Sequence, residues 1–108
     1  MAVNKVLSAL ADDTRRKILM KLTEGTISSG DLAQALGVTP QALSYHLSKL
    51  KQAGLIYETR RKNFIYYELD LSILDEAVLW INTLKERGAS HEGTETYILD
   101  SDASSSGG

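Results

Sequence analysis

Residues 37–55 read GVTPQALSYHLSKLKQAGL, and Leu43, Leu47 and Leu50 recur within them at helical spacing. Gly37 closes whatever precedes it. Thr39-Pro40 opens a helix, with a hydroxyl as N-cap and then proline at the first helical position. Gly54 stops it. At about 100° per residue, Gln41, Ser48 and Gln52 fall opposite the leucines, flanked by Ser44 and Tyr45. A helix that only had to dissolve would more usually carry Glu and Lys there. This one offers amide, hydroxyl and phenol groups, and no acid stands between Thr39 and Ile56. Such groups donate to or accept from base edges and phosphates, whereas carboxylates are repelled by phosphate.

Working outward, Val3, Val6, Leu7 and Leu10 space a first short amphipathic helix. Asp12 or Asp13 can cap a second, whose stripe is Ile18, Leu19 and Leu22 and which stops near Gly25. Ser28 followed by Asp31 resembles a capping box and starts a third helix through Leu32, Ala33 and Leu36. One short strand around Thr26-Ile27 is a further candidate. After the fourth helix, LIYETRR and FIYYELD are β-rich runs separated by Lys62-Asn63. They predict a hairpin whose turn uses Asn63 in a left-handed conformation. Ser72 and Asp75 read as another capping box, opening a last helix that ends at Gly88. The expected order is α-α-α-α-β-β-α, mainly α with a small β-hairpin (α+β). Two helices joined by a glycine-containing turn and followed by a hairpin describe a winged helix-turn-helix.

The chain has 108 residues, 43% hydrophobic and 24% charged, with no cysteine. It suits one globular domain and rules out disulfides, thiolate metal sites and cysteine nucleophiles. The start, MAVNKVLSALADD, lacks the basic residues and long apolar run of a signal peptide, and no stretch is long and apolar enough for a membrane span. A cytoplasmic protein with no membrane insertion is expected. The net charge of −2 is unevenly spread: residues 89–108 hold four carboxylates and no Lys or Arg, which leaves residues 1–88 at +2. Residues 39–63 carry five cations against Glu58 alone. Arg60, Arg61 and Lys62 crowd the hairpin tip, where like charges gain nothing for folding but gain much beside a nucleic acid backbone. The tail 89–108 lacks helical periodicity and is expected to be acidic and disordered, or to dock through Tyr97, Ile98 and Leu99. Residues 1–88 are expected to form the DNA-binding and dimerisation domain.

ALADDTRRKILMKL, GDLAQALGVTPQALSYHLSKLKQAGLI and FIYYEL resemble the ArsR family of bacterial transcriptional repressors, and within it the SdpR-type autorepressors through LKQAGLI, FIYY and Trp80. The motifs are Thr14-Arg15-Arg16, then Ser44, His46, Leu47 and Leu50 in the fourth helix, then Tyr66, Tyr67 and Leu69 in the hairpin. The resemblance covers about residues 3–88. It implies a homodimer that blocks transcription from a pseudo-twofold operator in double-stranded DNA. Two positions depart from the family: Asp13 stands where proline is usual, and Lys62-Asn63 where the wing turn usually carries glycine. The expected DNA-contacting set is Thr39, Gln41, Ser44, Tyr45, His46, Ser48 and Lys49 from the helix, with Arg60, Arg61 and Lys62 from the wing. His46 sits on the edge of the apolar side, as a packing or phosphate-contacting group.

The last helix holds Ile73, Leu74, Ala77, Val78, Leu79, Trp80, Ile81 and Leu84, too wide an apolar surface for one core. A second copy is the expected cover, with an interface drawn from Val3, Val6, Leu7, Leu74, Ala77, Val78, Trp80, Ile81 and Leu84. Many ArsR relatives sense metals through thiolates in the third helix or histidines in the last. Here SSGDLAQAL has no thiol and the last helix no histidine before His91, so no metal or other cofactor is expected. Ser44 and His46 point to different sides of one helix, which argues against an enzyme. That leaves a constitutive repressor or one relieved by a protein or small-molecule inducer. An interaction module that binds a protein partner through the last helix is the competing reading.

Overall fold

The computed structural model describes the backbone of residues 2–93 and the side chains of residues 3–89. Five helices and three strands follow in the order α1 (Ala2–Leu10), α2 (Asp13–Leu22), β1 (Ile27–Ser28), α3 (Ser29–Leu36), α4 (Pro40–Gln52), β2 (Ile56–Arg61), β3 (Phe64–Leu69) and α5 (Leu74–Gly93). The sheet is antiparallel, in the order β1-β3-β2. Contacts divide the described residues into two units, the first ending at Ala77 and the second beginning at Val78. The winged helix-turn-helix order expected from the residues is present, with the short strand at Ile27–Ser28 paired to Tyr67 and Tyr66.

The helix starts are set by single side chains. Asp12 accepts the Arg15 backbone N–H at 3.0 Å, Ser28 that of Asp31 at 3.2 Å, and Thr39 that of Ala42 at 3.1 Å. The bond from the Arg15 backbone N–H, more than the nearby Arg15 guanidinium, holds the Asp12 carboxyl below its usual range. A depressed carboxylate pKa means the cap acts in full at neutral pH and is lost only as pH falls through that lowered value. The helix ends rely on glycine. Gly37 (φ 66°) and Gly54 (φ 78°) take the left-handed conformation. After α4 the Gly54 N–H donates to Lys51 O at 2.9 Å and the Leu55 N–H to Leu50 O at 3.0 Å. This double closure also brings the buried Leu55 back onto Leu50.

The core gathers one to three side chains from nearly every element: Val6 and Ala9, Ile18 and Leu22, Leu32 and Ala33, Leu43, Leu47 and Leu50, then Leu55, Ile56, Tyr67 and Ala77. Val3, Val6 and Ala77, expected at a dimer interface, are buried within the single chain's own fold at 6%, 0% and 3% exposure. Spacing finds the apolar face of α1 but cannot say whether its own chain or a second copy covers it.

Arg15 is a long-range tie. Its Nε donates to Ala9 O at 2.8 Å and its Nη2 to Ser8 O at 3.2 Å, while Nη1 lies 3.3 Å from His46 Nδ1 on α4. Arg16 Nη1 donates to Leu10 O at 2.7 Å. Basic residues in the first turn of a helix oppose its dipole. Here they serve the other end of the preceding helix, whose last carbonyls have no intrahelical partner.

Three local expectations are corrected. At the hairpin turn the residue with positive φ is Lys62 (φ 53°), not Asn63. Ser72 does not cap α5: its hydroxyl donates to Asp70 Oδ1 at 2.7 Å, and Asp75 N–H bonds the Ser72 carbonyl instead. Gly88 does not end α5, which runs on to Gly93. A glycine inside a helix costs only about 1 kcal/mol relative to alanine, and Gly88 is not among the glycines with positive φ. The expected disorder or docking of the tail beyond residue 93 lies outside the described residues.

Two stability predictions follow from these contacts. No atom lies within 4 Å of a Cβ added at Gly54 or at Gly30, so backbone conformation alone sets the sign. Gly54→Ala should cost about 1–2 kcal/mol and Gly30→Ala should gain about 0.4–1 kcal/mol, read as opposite shifts in urea midpoint at unchanged slope. Arg15→Ala, which uncaps α1 and strands His46, should cost about 1–3 kcal/mol. Arg16→Ala, with its half-exposed side chain, should cost less. Equal midpoints for Arg15→Ala and the wild type would show that the tie carries no net energy.

Candidate nucleic-acid interface

Burial of Leu43, Leu47 and Leu50 turns the opposite side of α4 outward. Gln41 and Ser44 are exposed, Tyr45 is 57% exposed, and Lys49 and Gln52 continue the row. Thr39 is exposed at the start but its hydroxyl is spent on the cap. Ser48 is half-buried and its oxygen accepts from Gln52 Nε2 at 3.1 Å, leaving its own O–H free to donate. Lys49 Nζ lies 5.6 Å from the Tyr45 ring centroid, so the cation and the phenol are held as one unit.

His46 does not stand in this row. Its side chain is 15% exposed and turned toward α2, with Nδ1 3.7 Å from Asp12 Oδ2 and 3.3 Å from Arg15 Nη1. Its ring therefore packs toward α2 rather than joining the outward row. Arginine can only donate, so the contact requires His46 Nδ1 to accept. The Arg15 role was not anticipated from spacing. The one signal available was a pair of arginines where a helix start favours acids.

The wing separates its cations by register. Arg60 pairs with Ile65 across the strands and Arg61 with Phe64. Residues directly opposite share a face, and alternation along each strand puts the next pair on the other. Ile56 and Tyr67 are buried, so Arg60, Ile65 and Glu58 share the inward-facing side. Arg61, Phe64, Thr59, Tyr66 and Tyr57 share the outer side. There the Arg61 guanidinium lies 5.7 Å from the Tyr66 ring centroid, and Phe64, 58% exposed, tilts against Tyr66 at 6.4 Å. These aromatic neighbours were missed by a reading that looked only for charge. Lys62 tops the turn.

The electrostatics sharpen the same picture. Lys51 is bonded to Glu58 at 2.8 Å, which raises its pKa further and cancels both charges locally. Glu68 accepts from the Tyr57 hydroxyl at 3.1 Å, away from the tip, and holds that phenol above its usual range. What remains on α4 and the wing is Lys49, Arg60, Arg61 and Lys62, with no acid paired to any of them among the described residues. No three His, Asp or Glu side chains come together as a metal-holding group among the described residues, and none of the described helices is long and apolar enough to cross a membrane.

On α5, Val78, Trp80, Ile81 and Leu84 are exposed at 53%, 46%, 41% and 57%, and Leu79 at 67%. Leu7 and Leu74 are half-buried.

Comparison with known proteins agrees with this geometry. The family described as "Bacterial regulatory protein, arsR family" matches residues 12–58. The transcriptional repressor SdpR of Bacillus subtilis is 37% identical over 86 residues, 80% of this chain and 96% of that protein. The HTH-type transcriptional regulator CmtR of Mycobacterium tuberculosis is 36% identical over 105 residues, 87% of this chain and 89% of CmtR. Among solved structures, an ArsR-like regulator from Rhodococcus sp. RHA1 matches with a TM-score of 0.74 at 26% identity, covering 90% of this chain and 95% of that one. A homodimeric winged helix-turn-helix DNA-binding domain from Mycobacterium bovis matches with a TM-score of 0.63 at 27% identity, covering 90% of this chain and 88% of that one. With capped helix-turn-helix, wing and sequence all in agreement, this chain belongs to the ArsR family of bacterial transcriptional regulators.

Proposed function

We propose that the protein is a repressor that binds a pseudo-palindromic operator as a homodimer, with α4 of each protomer in a major groove and each wing on the adjoining backbone or minor groove. The observation that carries this is the acid-free, hydrogen-bonding outer row of α4 beside unpaired wing cations. Repression, rather than activation, is supported by the likeness to SdpR. The homodimer is supported by the exposed apolar side chains of α5 and by the homodimeric Mycobacterium bovis neighbour. Two α4 helices would then reach half-sites about 34–36 Å apart. With no cysteine in the sequence, the repressor works without the thiolate metal sites known in ArsR relatives. Its place of action is the cytoplasm, and release, where it occurs, comes from a protein or small-molecule inducer. The protein-interaction module shares the exposed α5 side chains but gives no reason for an acid-free α4 row and an unpaired basic wing.

Specificity and affinity should separate by element. Gln41 has the amide geometry that suits adenine, and one good base contact is worth about 1–3 kcal/mol of discrimination. Gln41→Ala should relax base preference at one position in each half-site and leave the salt dependence unchanged. Arg60→Ala with Arg61→Ala should weaken operator and scrambled duplex together and lower the salt slope by about one for each phosphate left without its cation. Titrating both duplexes at several salt concentrations reads the two effects. A wing variant that lost operator binding alone would instead make Arg60 or Arg61 a reader of groove width, and an unaltered Gln41→Ala would remove α4 as the reading head.

The wild type should sediment as a dimer at micromolar concentration. Trp80→Asp should give a monomer that keeps the helical circular dichroism of the wild type, because Trp80 is 46% exposed and not part of the core. A monomeric wild type would remove both the dimer and the palindrome.

A further inference from the structure

Between α1 and α4 lies a cleft of about 310 Å³ whose walls include Lys5 and Ser8 on one side, Tyr45, Lys49 and Gln52 on the other, and Arg15. Three cations meet there and no carboxylate lines the space. Outside the cleft three lysines sit beside an acid, Lys17 by Asp13 at 3.2 Å, Lys21 by Glu24 at 3.0 Å and Lys51 by Glu58 at 2.8 Å, while Lys62 at the wing tip does not among the described residues. Lys5 and Lys49 have no such partner among the described residues. Arg15 spends one N–H on Ala9 O, one on Ser8 O and one toward His46, which leaves one on each terminal nitrogen. Asp12 accepts the Arg15 backbone N–H and is not part of the lining. Like charges gathered in a concave site repel one another and focus a positive potential, and an anion seated among them reverses the sign of that energy.

We propose that this cleft is a phosphate seat, held by Lys5, Lys49 and the two unspent N–H groups of Arg15, with the hydroxyls of Ser8 and Tyr45 as neutral donors. A guanidinium beside ammonium groups and hydroxyls matches the several acceptor oxygens of a phosphate. The phosphate comes either from the DNA backbone or from a free small anion. Tyr45 and Lys49 also belong to the outward row of α4, so the two sources have opposite consequences. A backbone phosphate extends the DNA footprint onto α1. A free anion draws Lys49 and Tyr45 away from DNA and acts as an effector. The first source rests on the DNA-binding reading above; the second does not.

The test uses the full chain, pyrophosphate as probe, and Lys5→Gln, whose residue lies outside the DNA-contacting set. Pyrophosphate is titrated at constant ionic strength while amide resonances of residues 5, 8 and 49 are followed. In parallel, operator and scrambled duplex are titrated at several salt concentrations. Saturable shifts in the wild type that vanish in Lys5→Gln identify a free-anion site. No saturation, but a salt slope lower by about one and equal weakening of both duplexes in Lys5→Gln, identifies a backbone phosphate. Lys17→Gln, outside the cleft, should reproduce the wild type in both arms. The seat is overturned if Lys5→Gln matches the wild type in both. Should the wild type bind no duplex, the DNA-binding reading fails by itself, and the pyrophosphate arm alone decides the cleft.

Discussion

Leu43, Leu47 and Leu50 leave α4 no choice of which side to bury, and the rest of the molecule is arranged around that obligation. Each is at most 3% exposed, and Leu50 meets Leu55 where the helix closes on itself. Burying a leucine of this kind is worth about 1.5–3 kcal/mol, more than any rotation of the helix could recover from its polar side. Gln41, Ser44 and Tyr45 therefore face water without needing contacts of their own to aim them. Orientation by burial suits a surface that must meet a partner already formed, because the helix backbone is placed beforehand and only the exposed side chains have to be ordered at the moment of binding.

A second layer of control acts through backbone ends. Thr39 and Pro40 start α4 where the preceding glycine stops α3, so the turn between the two helices has little freedom. Arg15 and Arg16 then close the end of α1, and Arg15 alone reaches α4 as well. One guanidinium thus couples the placement of α1 to that of the helix carrying the candidate reading groups. It also connects the row on α4 to the basic cleft, since Tyr45 and Lys49 are shared by both.

The wing shows the opposite balance. Lys62 occupies a left-handed conformation that glycine would adopt without strain. Holding a lysine there costs about 1–3 kcal/mol, and its charge adds to that of Arg60 and Arg61. Folding gains from neither choice. In the function proposed above the clustered charge becomes favourable beside phosphate, whereas the backbone cost at Lys62 stays with the fold.

The residues alone determined the features whose partners are close in sequence. The caps at Asp12, Ser28 and Thr39, the stops at Gly37 and Gly54, the leucine stripe of α4 and the hairpin strands all depend on groups within a few residues of one another. Motif spacing then sufficed for the family. At Lys62, Ser72 and Gly88 the local signal failed on equally local grounds; elsewhere a distant group decided the outcome. Arg15 and His46 are 31 residues apart, so their contact exists only once α2 and α4 pack together, and it removes His46 from the outward row. Val3, Val6 and Ala77 are as apolar as an interface requires, yet the chain's own core had already taken them. Arg60 and Arg61 lie on opposite sides of the wing by strand alternation, but only the burial of Ile56 and Tyr67 decides which of the two shares the inward side. Residue type and spacing state what a side chain can bond or bury; only tertiary packing decides which of the available partners reaches it first.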